Sequence, residues 1–183
     1  MKTFVAALAL GALTATAALA QQPGSDPQNT VLLETKDGRV TIRLRPDLAP
    51  RHVEQIKTLT KRGFYNGAPF HRVIDGFMAQ TGDPTGTGTG KSDLPNLPAE
   101  FTPTPYKRGT LGMARSQSPD SANSQFFICY DGCGPLTGQY TVIGEVVAGM
   151  DVVDKIKKGD RNANGMVQNP DSIVKMQLAS DAK

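Results

Sequence analysis

Short runs of alternating apolar and polar residues dominate the chain, and helical spacing occurs in only two places. In "TVLLETKDGRVTIRLRP", Val31–Glu34 and Val40–Leu44 read as strands, with Asp37-Gly38 marking the hairpin turn between them. In "APRHVEQIKTLTKRGFYNG", Val53, Ile56 and Leu59 share one side of a helix. Pro50 suits the first turn of that helix, where its missing N–H is not needed, and Gly63 is a natural stop. Residues 70–74 form a further strand, Gly76 breaks it, and Phe77–Gln80 resumes the extended pattern. Residues 82–98, "GDPTGTGTGKSDLPNLP", are a long Gly/Pro-rich loop. Strand patterns return at Thr110–Ala114, Gln125–Tyr130, Thr141–Val146 and Ile173–Leu178. A second helix is predicted in "GMDVVDKIKKG", with Val152, Val153 and Ile156 inward and Gly159 as its stop. The pattern is mainly β, with about eight short strands and two helices, and no internal repeat. It suits a closed eight-stranded antiparallel β-barrel capped by two α-helices.

The first 20 residues follow a different pattern. "MKTFVAALALGALTATAALA" has a lysine near its start, an apolar run, and Ala18-Leu19-Ala20 before Gln21. This is the layout of a secretory signal peptide, cut between Ala20 and Gln21. The alternative, a retained membrane anchor, suits it less, because the apolar run is short and diluted by Gly and Thr. The expected product is exported, to a periplasm, and free of the membrane after cleavage. Residues 21–30, "QQPGSDPQNT", read as a flexible leader. Residues 31–180 are one domain's worth of chain. A formal net charge of +3 argues against a dedicated nucleic-acid binder.

The two cysteines, Cys129 and Cys133, flank "YDG". In an oxidising compartment they are expected to pair as a disulfide, the alternative being two independent thiols. A lone C-x₃-C, with both histidines distant in sequence, is a poor zinc site, since zinc wants four donors. No metal is expected.

Other candidate chemistries weaken on inspection. "GTGTGKS" at Gly86–Ser92 has the glycines of a phosphate-binding loop, but Pro95 and Pro98 follow at once and block the helix such a loop needs. It reads as a flexible surface loop within reach of a ligand. The serines of "SQSPDSANS" lack the surroundings of a hydrolase nucleophile. His71 and Arg72 alternate onto opposite faces of their strand, and His71 reads as a hydrogen-bonded core histidine. Arg72 stands out, since "FHRVIDGFMAQ" sets a single guanidinium among Phe77, Met78 and, from another strand, Phe126 and Phe127. The plain alternative is an arginine paired with a surface acid.

Three segments, "FHRVIDGFMAQTGDPTGTGTG", "RGTLGMARSQSPDSANSQFFI" and "LTGQYTVIGEVVAGMDVVDKI", together resemble the cyclophilin family of peptidyl-prolyl isomerases. The hairpin and the "APRHVEQI" helix match as well, so the resemblance runs from about Val31 to Leu178. The form of the second segment resembles the bacterial exported branch. The resemblance implies an eight-stranded barrel with its site in a groove on the outer face. Carried over by position, the site would comprise Arg72, Phe77, Met78, Gln80, Ala114, Arg115, Gln125, Phe127, Leu136 and Tyr140. It implies a monomer without cofactor, acting on proline-containing polypeptides and unfolded exported proteins. Pro135 stands where animal members carry Trp, and Tyr140 where they carry His, so weak cyclosporin binding is expected.

A charged donor among apolar side chains fits this activity. Rotation about an X-Pro bond is slow because amide resonance opposes it. Twisting the bond localises the lone pair on the prolyl nitrogen, so a donor aimed there binds the twisted state best. Arg72 is expected to be that donor, with Gln80 holding it and Phe77, Met78, Phe127 and Leu136 holding the ring. Two competing readings are a groove that binds peptides without turnover and a nucleotide binder using "GTGTGKS".

Overall fold

The structure is a computed structural model and describes residues 26–182. The expected signal peptide and residues 21–25 of the expected leader lie outside the described residues. The rest of that leader is folded: Pro27–Asn29 form one 3-10 turn, capped by the Asp26 carboxylate on the Gln28 N–H, and Thr30 already belongs to the first strand.

The strands are β1 (Thr30–Thr35), β2 (Gly38–Leu44), β3 (Arg72–Ile74), β4 (Met78–Thr81), β5 (Thr110–Met113), β6 (Phe126–Cys129), β7 (Val142–Ala148) and β8 (Lys175–Leu178). The helix α1 spans Pro50–Lys61 and α2 spans Met150–Lys155. All eight strands join one antiparallel sheet in the order β3-β4-β6-β5-β7-β2-β1-β8.

The sheet curls into an open half-barrel rather than the closed barrel expected from the pattern. β3 and β8 stand at its two edges with no ladder between them. The cause is the chain leading into β8. It runs beside β3 as irregular backbone, bonded Val73 N–H to Gly165 O at 2.8 Å and Phe70 N–H to Asp171 O at 2.8 Å. Only isolated bridges form, at Pro69–Ser172 and Arg72–Met166. Asn164 and Asn169 sit at positive φ, and Pro170 lacks an N–H to donate, so this stretch cannot run on as a strand.

Alternation divides the side chains between two faces. Val73, Ala79, Phe126 and Ile128 point into the concave core, where Val53, Ile56 and Leu59 of α1 also bury. Met78, Phe127 and Cys129 point the other way and form a second cluster with Tyr106, Cys133 and Val142. The core thus closes the inside of the sheet and leaves the outer face free to carry a groove.

The α1 N-terminus is capped from a distance. Ala49 offers no side-chain cap, and the Glu100 carboxylate instead accepts from the N–H groups of Arg51 and His52 at 3.3 and 3.1 Å, and lies 2.6 Å from the His52 ring. This ties the 95–105 stretch to α1. The second helix is shorter than expected. Ile156 turns extended to bury in the core, and Lys157 N–H bonds to the Asp171 carboxylate, so α2 ends at Lys155 rather than running to Gly159.

Candidate active site

The site begins as a row across three strands. The ladders place Arg72 opposite Gln80, Gln80 opposite Phe127, and Phe127 opposite Gly112. Because side chains on one face repeat with period two, Met78 joins the same face as Gln80. Gly112 has no side chain to occupy the end of the row. A Cβ there would run into the Tyr106 hydroxyl and the Phe127 ring. Its absence lets Tyr106 lie under Phe127 in a stacked pair, centroids 5.8 Å apart, while Tyr140 meets Phe127 edge-on at 5.8 Å.

Arg72, Phe77, Met78, Gln80, Ala114, Arg115, Phe127, Leu136 and Tyr140 line a single pocket of about 160 Å³. That is room for one small ring, given about 30 Å³ per water molecule. The remaining expected residue, Gln125, faces an adjoining cavity that shares Gln80, Ala114 and Arg115 as its wall and is otherwise edged by residues such as Gly90, Lys91 and Asn123.

Arg72 is not part of a surface ion pair. Among the described residues, no carboxylate comes within 4.0 Å of its guanidinium. Neutral oxygens hold it instead: Nη1 donates to Gln80 Oε1 at 3.2 Å, Nε to Asn164 O at 2.9 Å, and Nη2 to Asn164 Oδ1 at 3.1 Å. Burial in the groove lowers its pKa below the ordinary arginine value, yet a guanidinium stays charged at any physiological pH.

The chain of bonds continues behind Gln80. Its Nε2 donates to Gln125 Oε1 at 2.8 Å, and Gln125 Nε2 donates to the carbonyls of Gly88 and Gly90 at 3.1 and 2.8 Å. Those glycines belong to the "GTGTG" loop, which is knotted around one carboxylate. Asp83 accepts from the N–H groups of Thr85, Gly88 and Gly90 at 2.7, 2.7 and 3.0 Å. Burial opposes the Asp83 charge, but these hydrogen bonds outweigh it and hold the carboxyl below its usual pKa. The loop therefore spends its N–H groups internally and offers no phosphate cradle.

Arg115 turns back on its own loop. Its guanidinium donates to the carbonyls of Ser116, Gln117 and Gln139 and stacks on the Tyr140 ring at 4.5 Å. His71 is buried as expected, but among the described residues neither ring nitrogen has a hydrogen-bond partner. Burial lowers its pKa and so favours the neutral ring, against the opposing pull of the Asp83 carboxylate. Cys129 and Cys133 are joined as a disulfide with Cα atoms 5.9 Å apart, in the same apolar cluster as Met78, Phe127 and Leu136, and Cys129 pairs with Met78 across the ladder.

Sequence reasoning missed Asp83, Gly112 and Asn164. The acid ahead of alternating Thr and Gly is a visible cue for a side-chain-organised turn, and Asn164-Gly165 is a visible turn pair. Neither cue shows that the turn abuts the site.

A curved antiparallel sheet that carries an uncompensated arginine beside an apolar ring-sized pocket defines a class of site suited to gripping a peptide without acid-base or covalent chemistry. Comparison with known proteins agrees. The family model "Cyclophilin type peptidyl-prolyl cis-trans isomerase/CLD" matches residues 30–178, and the chain belongs to that family. A probable peptidyl-prolyl cis-trans isomerase of Brucella suis is 57% identical over 189 residues, covering 97% of this chain and 93% of that one. The peptidyl-prolyl cis-trans isomerase of Helicobacter pylori strain 26695 is 42% identical, over 70% of this chain and 80% of its own. Among solved structures, cyclophilin AquaCyp293 from Hirschia baltica aligns with a TM-score of 0.77 at 29% identity, covering 87% of this chain and 77% of that one. A Cryptosporidium parvum cyclophilin crystallised in the presence of the dipeptide Ala-Pro aligns with a TM-score of 0.74 at 29% identity, covering 81% of this chain and 98% of its own. The protein is a cyclophilin-type peptidyl-prolyl cis-trans isomerase.

Proposed function

We propose that this isomerase acts on X-Pro bonds of unfolded exported polypeptides, in the periplasm, with Arg72 as its catalytic donor. The observation that carries the catalytic part is the Arg72 guanidinium, fixed by neutral acceptors on the wall of an apolar pocket. A substrate prolyl ring seats among Phe77, Met78, Phe127 and Leu136. The residue before proline then swings while the ring stays still. As the bond twists, the prolyl nitrogen gains a lone pair, and Arg72 donates to it. The interaction strengthens only as the transition state forms, so it accelerates turnover instead of merely tightening binding. Gln80 keeps the guanidinium aimed and, with Ala114, Arg115 and Gln125, borders the substrate backbone.

The exported setting rests on the Lys2, apolar-run and Ala18-Leu19-Ala20 pattern. With Tyr140 in the pocket lining and Pro135 next to Leu136 in sequence, weak cyclosporin binding goes with this reading, as do a monomeric state and no affinity for nucleic acid. The test has two arms. Protease-coupled isomerisation of an Ala-Pro peptide reads the activity. N-terminal sequencing of the protein recovered from the periplasmic fraction reads the location, with Gln21 expected first; an intact Met1 in the cytoplasmic fraction would reject export.

A further inference from the structure

The irregular chain that keeps the half-barrel open also delivers a residue to Arg72. Asp160 caps a 3-10 turn, Arg161–Ala163, by accepting from the Asn162 N–H at 2.8 Å. The turn ends at Asn164, whose φ of +55° is left-handed. Gly165 follows at φ +78°, where a Cβ would strike the Ile74 side chain. Glycine there lets the turn lie flush on β3, fixed by Val73 N–H to Gly165 O at 2.8 Å. Asn164 is thereby set beside Arg72.

Both oxygens of Asn164 then face the guanidinium. The backbone carbonyl takes Nε at 2.9 Å and the side-chain Oδ1 takes Nη2 at 3.1 Å. Gln80 takes Nη1 from the other side at 3.2 Å. A guanidinium has five N–H bonds in a fixed plane. Three are committed to the protein, which leaves one on each terminal nitrogen for a substrate. A single acceptor would let the group pivot; acceptors at both ends of the plane fix its rotation.

We propose that Asn164 is a positioning residue for Arg72, which clamps the guanidinium against Gln80 so that its two free N–H bonds address the groove. This rests on the reading of Arg72 as the catalytic donor. Asn164 fills the role for two reasons. Its amide oxygen is neutral, so it orients the guanidinium without cancelling its charge. Asparagine also tolerates the left-handed conformation that the turn demands.

The experiment separates this role from a purely structural one. Asn164→Gly keeps the left-handed backbone and removes Oδ1. It should lower kcat about 10-fold or more, as expected for losing one hydrogen bond to a charged group, with KM within about twofold of wild type and Tm not lowered. Asn164→Asp restores an acceptor at Oδ1 but adds a charge that pairs with the guanidinium, so it should regain only part of that loss. In an Arg72→Ala background, Asn164→Gly should add no further loss, because the residue acts through the arginine. A wild-type kcat for Asn164→Gly, or an equal loss in the Arg72→Ala background, would overturn the proposal. An Arg72→Ala protein at the wild-type rate would instead overturn the reading beneath it.

Discussion

Gln80 stands directly across the β3–β4 ladder from Arg72, and its side chain is bonded at both ends. Its Oε1 accepts from Arg72 Nη1 at 3.2 Å while its Nε2 donates to Gln125 Oε1 at 2.8 Å. The amide is thus polarised in one sense, oxygen toward the cation and nitrogen toward the second glutamine. The link continues through Gly88 and Gly90 to Asp83, so the loop that follows β4 supports the glutamine that holds the guanidinium.

Gln80→Glu tests that polarity. A carboxylate can still accept from Arg72, but it cannot donate to Gln125 Oε1, and the two oxygens then repel. Loss of the bond and the unpaired acceptor should cost about 1–3 kcal/mol of transition-state stabilisation, or roughly 5- to 150-fold in kcat/KM. The check is isomerisation kinetics with a melting curve; unchanged kcat/KM would show that the Gln80–Gln125 link does not aim Arg72.

The ring pocket predicts a different kinetic signature. Phe127→Ala removes the surface that holds the prolyl ring in ground and transition states alike, so KM should rise while kcat changes much less. Gly112→Ala should reach the same ring from below, because its methyl must displace Phe127 or Tyr106. Overpacking of this kind costs about 1–3 kcal/mol, to be read from the loss of thermal stability alongside turnover.

Much of the fold was legible because its apolar residues alternate cleanly. The first helix and the β1–β2 hairpin follow from Val53, Ile56, Leu59 and the Asp37-Gly38 turn, Val152 and Val153 mark the shorter second helix, and each strand sits where its pattern lies. Nine of the ten expected site residues share one pocket, because strand alternation and register carry Arg72, Met78, Gln80 and Phe127 to one face. The opening between β3 and β8 was not legible. It depends on where the polar, Asn-rich chain at 160–170 lies in space, and no apolar period records that. Glu100 and Asn164 escaped notice for the same reason, since each acts on groups far away in sequence, whereas Asp83 organises its own loop and only the contact of that loop with Gln125 is long-range.

Asp83 gives a pH dependence with a defined sign. Its carboxyl is held below its usual pKa, so it contributes stability that is fully present above the unfolded value of about 4 and is lost as pH falls through the folded value. Wild type should therefore melt above Asp83→Asn at pH 7, and the gap should shrink below about pH 4. Melting curves across pH 3–7 check this; a gap that stays constant over that range would show that the Asp83 charge does not hold the loop.

The disulfide predicts a thiol count. Both cysteines are fully buried, and the bridge spans four positions of sequence. Closing so short a loop contributes about 2 kcal/mol by the chain-entropy relation. Unfolded, unreduced protein from an oxidising compartment should show no free thiol, and reduction should release two. Replacing both cysteines by serine should lower Tm. Two free thiols without reductant would reject the bridge.

The central claim is that Arg72 stabilises the twisted X-Pro bond. Steady-state isomerisation of one X-Pro peptide by Arg72→Ala, with circular dichroism to confirm the fold, tests it most directly. The account predicts a folded protein whose turnover falls on the order of 100-fold or more, as for other preorganised donors to a transition state. Arg72→Lys should restore only part of it, since a point charge cannot reach Gln80 and the substrate together. A folded Arg72→Ala protein that isomerises the peptide at the wild-type rate would contradict the account.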